Sequence, residues 1–177
     1  MNRRARVSFF VVAFAVALAV GTLAPSLYAP TATISIFVGA RVITNCTFNS
    51  SLPVDFGDYA GAQVDAEGHV LITCTNGTPH SIGLGQGLHP ADGSTAESPL
   101  RRMELQGSPG NFLSYQLYRT APGIDVWGDI GTDNDKDGLV GTAVSVDHTV
   151  FGRLPGGQPA VASLNSYDDS VLVTVQF

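Results

Sequence analysis

Charge is scarce in this chain. Asp, Glu, Lys and Arg make up only 14% of it, and the nine basic residues are outnumbered by fifteen acidic ones, for a formal net charge of −6. Three of the nine, Arg3, Arg4 and Arg6, crowd the N-terminus, so the remainder is more acidic still. Nucleic-acid binding needs a basic footprint, which this composition excludes. Tryptophan occurs once, cysteine twice and histidine four times. His69, His80, His89 and His148 lie on separate segments, and none has a second histidine at metal-ligand spacing. Two cysteines and scattered histidines make no zinc signature. His148, on the apolar parity of its segment, reads as a satisfied structural histidine. There is no G-x-S-x-G elbow and no P-loop, and "GLGQG" lacks a βαβ setting. No constellation supports a secreted hydrolase, and no catalytic activity is expected.

Long hydrophobic runs are also missing, with one exception. Behind the three arginines an apolar stretch runs from Phe9 to Val20. A positive n-region followed by a short h-region reads as a signal peptide over residues 1–26, with cleavage between 21 and 32. A membrane anchor is the alternative. No membrane span is expected after leader removal. In an exported chain an even cysteine count implies one disulfide, Cys46 to Cys74. On the chain-entropy model it is worth roughly 3–4 kcal/mol. Two free, buried thiols are the other option.

What the chain has in plenty is turn formers, 20 glycines and 10 prolines. Between them lie short runs of period-2 alternation, the mark of strands with one apolar face. "TISIFVGARV", Thr33 to Val42, places Ile34, Ile36, Val38, Ala40 and Val42 on one parity. "HVLITCT" aligns Val70, Ile72 and Cys74. A short strand is expected around Ile82 and Leu84 after an Asn-Gly turn signal. "LRRMEL" and "FLSYQLYR" flank a turn at Gly107 to Gly110. "VSVDHTVFGRL" aligns Val144, Val146, His148 and Val150, and "DSVLVTVQF" aligns Val171, Val173, Val175 and Phe177. "HPADGSTAESP" and "VWGDIGTDNDKDGLVGTA" read as loops. No segment reads as a helix outside the leader. Many short strands at regular spacing indicate an all-β sandwich or barrel in a single domain, 33–177.

The ordered set "FVGARVITNC", "VDFGDY", "VLITCTNGTP", "LRRM", "LSYQLYR", "WGD" and "YDDSVLVTVQF" resembles the spore coat U domain, found in subunits of archaic, Csu-type chaperone–usher pili. The resemblance covers nearly all of the chain after the leader. It implies an immunoglobulin-like β-sandwich lacking its final strand. A periplasmic chaperone fills the resulting groove first, and at the outer-membrane usher the N-terminal strand of a neighbouring pilus subunit replaces it. On this reading the segment 33–42 is a donor strand, with Ile34, Ile36, Val38 and Ala40 entering a neighbour's groove. Burial of three large aliphatic side chains is worth roughly 5–9 kcal/mol before ordering costs. Val171, Val173, Val175 and Phe177 would form the groove edge that the chaperone contacts. Many subunits of this kind place an aromatic next to last; here Gln176 holds that position. The resemblance implies a structural fibre subunit at the cell surface. The alternative is a self-contained secreted sandwich in which 33–42 is its own first strand, with a calcium-binding or coat-layer role.

Three smaller features complete the reading. Asp133, Asp135, Asp137 and Gly138 match positions 1, 3, 5 and 6 of a calcium loop, but Val144 stands where a bidentate Glu belongs. Calcium and a solvated acidic loop are both open; no other cofactor is expected. Trp127 reads as an anchoring aromatic before a turn, and the pair Arg101 and Arg102 as a solvated strand end.

Overall fold

The computed structural model describes residues 30–121, 123–162 and 164–177. The expected leader, residues 1–26, lies outside the described residues. The chain divides into two units, Met1–Ala40 and Arg41–Phe177.

In the first unit the described residues, 30–40, contain no strand and no helix. Ile34, Ile36 and Val38 are 90%, 81% and 89% exposed. The sequence has the alternation of a strand, yet none forms. A strand's backbone groups need a partner edge, and alternation by itself provides none.

The second unit is all-β, with no helix among its described residues. Among the described residues nine strands form: β1 Cys46–Leu52, β2 Val64–Cys74, β3 Pro79–Leu84, β4 Arg101–Leu105, β5 Phe112–Tyr118, β6 Lys136–Val140, β7 Ser145–Leu154, β8 Tyr167–Asp168 and β9 Val173–Gln176. They make two sheets. One has six strands in the order β1-β2-β7-β5-β4-β8, and the other has three in the order β6-β3-β9.

The period-2 reading holds along the central strands. β2 turns Val70, Ile72 and Cys74 inward, β5 turns in Leu113, Tyr115 and Leu117, and β7 turns in His148, Val150 and Leu154. All of these side chains except His148 meet Ile82 and Leu84 of β3 and Trp127 in one core. Gly68 of β2 stays side-chain-free because a Cβ there would stand 2.7 Å from Val54 Cγ2. The β4–β5 pair forms around the expected turn.

Three expectations shift. Val144, just before β7, and Val146 share the parity of His148 but are exposed, although Ile72, paired with Val146 on β2, is buried. The segment expected as a loop after Trp127 contains β6, which pairs with β3. Its charged first residues and the positive φ of Gly138 hide the strand from a periodicity reading. The last strand is shorter than its alternation: Val171 precedes β9, and Phe177 follows it, 54% exposed.

Candidate functional site: an open cleft between unequal sheets

Six strands face three, and the smaller sheet leaves part of the larger one uncovered. The result is a cleft of about 1250 Å³. Its floor is apolar: Val70 of β2, Leu113 and Leu117 of β5, and Val150 and Leu154 of β7. Leu84, Val171 and Val173 line it from the three-stranded side. β9 bounds that side. It pairs with β3 in the register Ile82↔Val175 and Leu84↔Val173, and its opposite edge has no strand beside it among the described residues. An edge of this kind presents a row of unused N–H and C=O groups.

The segments 51–61 and 158–169 supply the rest of the lining. Phe56 reaches Tyr115 with ring centroids 6.1 Å apart. It is held there by a tight turn: Asp55 Oδ1 accepts the Gly57 N–H at 2.8 Å, and Gly57 has φ +61°. Tyr59 donates from Oη to the Pro155 carbonyl at 3.0 Å and accepts the Gln158 N–H at 3.1 Å. These ties anchor Phe56 and Tyr59 of "VDFGDY" against β5 and the segment after β7.

At one margin of the cleft sits a buried polar network. Arg101, the first residue of β4, is 1% exposed. Its Nε donates to the Gly85 carbonyl at 2.8 Å, and Nη2 donates to the carbonyls of Leu84 (2.7 Å) and Trp127 (2.8 Å). Nη1 donates to Gln116 Oε1 at 2.7 Å. The guanidinium therefore joins the six-stranded sheet to the end of β3 on the other sheet. Burial lowers its pKa to about 10, against the nearby Tyr115, Asp169 and Asp129, which favour the charge. It stays a cation at neutral pH. Tyr115 Oη donates to Asp169 Oδ2 at 2.6 Å, and burial first, then this carboxylate, push the phenol's pKa up. Asp169 Oδ1 also accepts the N–H groups of Leu88 and Ser170, each at 2.8 Å. Gly87 is required beside it: its φ is +82°, and a Cβ there would overlap the Asp169 carboxylate.

The solvated-strand-end reading of Arg101 and Arg102 is thus corrected. Arg101 is buried because the corner after β3 leaves carbonyls that only a multi-donor side chain satisfies. Arg102 lies 4.2 Å over the Phe112 ring and donates from Nη2 to the Pro90 carbonyl at 2.9 Å. A basic pair opening a strand signals none of this by itself. Trp127 is the expected anchor: fully buried, it donates from Nε1 to the Ile82 carbonyl at 2.9 Å.

The other sequence-derived sites fall as follows. Cys46 and Cys74, opposite each other on β1 and β2, form the expected disulfide. Val171 and Val173 line the cleft, whereas Val175 packs on the core and Phe177 lies beyond the strand. Asp133 and Asp137 are exposed and Asp135 is buried. Asp135 Oδ2 accepts the Gly131 N–H at 3.0 Å, and its carbonyl accepts Arg119 Nη1 at 2.7 Å. The three carboxylates do not converge on one point; the grouping of potential ligand atoms that does converge, among the described residues, is Cys46, Cys74 and His80.

These features describe an all-β sandwich of unequal sheets with an open cleft that has an apolar floor and a polar rim. The family model for the Spore Coat Protein U domain matches residues 31–174, and the chain belongs to that family. It is 34% identical over 160 residues to Protein U of Myxococcus xanthus, covering 84% of this chain and 87% of that protein. The fold is similar to one in the crystal structure of the CsuC–CsuE chaperone–tip adhesion subunit pre-assembly complex of the archaic chaperone–usher Csu pili of Acinetobacter baumannii. The TM-score is 0.53 at 22% identity, over 77% of this chain and 40% of that one.

Proposed function

We propose that the protein is a structural, non-enzymatic subunit of a surface fibre, exported and assembled by a chaperone–usher route through donor-strand exchange. One observation carries the reading: a cleft with an apolar floor beside β9, whose outer edge has no strand among the described residues, in a chain whose own N-terminal segment alternates apolar residues and exposes them. An extended segment laid along such an edge gains main-chain hydrogen bonds, and its alternate side chains fill the pockets. Ile34, Ile36, Val38 and Ala40 of one copy would enter the cleft of the next, against Val171 and Val173. Left free, the segment and the cleft are both aggregation hazards, so a periplasmic chaperone would cover the cleft until an outer-membrane usher hands it on. The family and the chaperone–subunit complex with a similar fold support this reading.

Electrophoresis without heating tests it, comparing the chain with a version lacking Thr33 to Val38. A ladder of SDS-resistant multimers is expected for the first and none for the second, which should still fold with a chaperone. A ladder-free, chaperone-independent monomer that the deletion unfolds would overturn the proposal and return the segment to its own sandwich.

A further inference from the structure

The six-stranded sheet has a second hollow, of about 370 Å³, on the face turned away from the cleft. It lies across β2, β7 and β5, which are neighbours in the interior of that sheet. Val70, Val150 and Leu117 point into the core, so by alternation Asp65, Glu67, Phe151, Arg153 and Tyr118 point outward. The register sets them side by side. Glu67 stands opposite Phe151, and Phe151 opposite Tyr118. Two residues further along, Asp65 stands opposite Arg153. Side chains placed opposite each other on paired strands are near neighbours. A carboxylate and two aromatic rings therefore form one row, and an ion pair borders it.

Arg153 donates from Nε and Nη2 to the two oxygens of Asp65, at 2.7 Å and 2.8 Å. A fork of this kind fixes the guanidinium plane, and it leaves Nη1 unused. Among the described residues nothing donates to the Glu67 carboxylate, and the Tyr118 hydroxyl has no hydrogen-bond partner. Tyr118 and Phe151 are partly buried and make no ring contact with each other. The hollow therefore combines a free acceptor in Glu67, a free donor in Arg153, a hydroxyl that can do either, and two aromatic rings.

We propose that this hollow binds a hexopyranose unit of a neutral glycan. A sugar ring has an apolar C–H face and a rim of hydroxyls that both donate and accept. The face lies against Tyr118 and Phe151, and neighbouring hydroxyls donate to Glu67 and accept from Arg153 Nη1. Other ligand classes fail on one of these groups. A cation would sit beside the Arg153 guanidinium, and an anion would meet the Glu67 carboxylate. A wholly apolar ligand would strip water from Glu67 and replace it with nothing. An extended peptide needs an open strand edge, and β2, β7 and β5 each have strands on both sides. The volume is at the small end of the roughly 300–1,000 Å³ that ligand pockets span, which suits one or two sugar rings. The hollow and the cleft lie on opposite faces of the sheet. The sugar site therefore stands apart from the fibre reading, and a strand seated in the cleft leaves it open.

The test follows the backbone amide resonances of the isotope-labelled chain during titration with methyl β-D-glucopyranoside and with cellobiose. Saturable shifts are expected at residues 65–67, 116–118 and 151–153, with none along the cleft. Magnetisation transferred from protein to sugar should reach the C–H protons of one ring face. Phe151→Ala and Glu67→Ala should each weaken binding about tenfold or more, and Glu67→Gln should recover part of the loss, since its amide oxygen still accepts. Methyl β-D-glucuronide should bind more weakly than the glucoside, and tetramethylammonium should not compete. Glu67 is exposed, so Glu67→Ala stays folded even if Phe151→Ala does not. Unchanged affinity in Glu67→Ala, or no saturable shift at these residues with either sugar, would overturn the proposal. Tighter binding of the glucuronide or of tetramethylammonium would overturn it too, by showing that the hollow selects charge.

Discussion

The two sheets of the sandwich are closed against each other in one region and open in another. Where they are closed, Trp127 is fully buried, Arg101 spans from β4 to the carbonyls at the end of β3, and Ile82 is completely covered. Where they are open, the floor of β2, β5 and β7 faces a cleft of about 1250 Å³, and the outer edge of β9 has no strand beside it among the described residues. Both regions belong to the same two sheets, and their strands alternate in the same way. They differ in how much of the opposing layer the chain itself supplies. A sandwich can therefore be well packed in one place and unfinished in another, and in this chain the unfinished part coincides with the proposed binding surface.

The largest expected effect lies in the closed region. Arg101→Ala removes the donors that satisfy three carbonyls and should cost about 3–4 kcal/mol in urea unfolding followed by circular dichroism. Arg101→Lys should recover little of it, because an ammonium lacks the planar fork of donors. A loss under about 1 kcal/mol for either would mean that the network does not hold the sheets together.

Paired truncations measure the contrast directly. Ile82→Ala should cost about 2–5 kcal/mol, as expected for a fully packed core residue. Val173→Ala, half-buried at the cleft edge, should cost about 1 kcal/mol or less in the isolated chain. Equal losses would show that the cleft is not open in solution.

Filling the cleft should erase the difference. A peptide with the sequence TISIFVGARV, added to the chain lacking Thr33 to Val38, should stabilise it by about 2.7 kcal/mol at a hundredfold excess over Kd. The same peptide with Ile36→Asp should do nothing. Stabilisation by both peptides would mean that binding ignores the side-chain pockets.

A pH titration probes the end that holds the disulfide. Burial, with Lys136 on β6 and His80 on β3 adding repulsion and Asp147 opposing it, lowers the His148 pKa from 6.5 to about 4. The folded state holds this ring neutral while the unfolded chain protonates it. Stability of the oxidised chain should therefore fall as pH drops from about 6.5 to about 4, by about 1–3 kcal/mol, and level off below. His148→Phe should flatten that part of the profile; an unchanged slope would assign it to other groups.

The smallest expected effect concerns Asp133, Asp135 and Asp137. Asp135 is engaged by Gly131, and the three carboxylates do not converge. Calcium should leave the melting temperature unchanged, and a rise abolished by Asp137→Asn would show that the loop rearranges around the ion.

Much of this fold is legible in the order of its residues. The alternation in "HVLITCT" and "FLSYQLYR" locates β2 and β5 and the faces they bury. β6 and β8 are not legible in that way, because each is short, and pairing with an existing edge rather than alternation makes it a strand. Arg101 reads as a surface charge, because the carbonyls it satisfies belong to residues 16 to 26 positions away. The four histidines read as scattered, yet the sheets bring His80 and His148 together.

Residue pattern alone is enough for the all-β class, the faces of the central strands, the pairing of Cys46 with Cys74 and the strand-like apolar face of 33–42. Alternation is a local property of the backbone, and two cysteines allow one intramolecular pairing. That six strands face three, that no strand among the described residues lies outside β9, that Arg101 is interior and that His80 meets His148 are results of packing in three dimensions. They depend on which distant segments become neighbours, and no local pattern encodes how much of one sheet the other will cover.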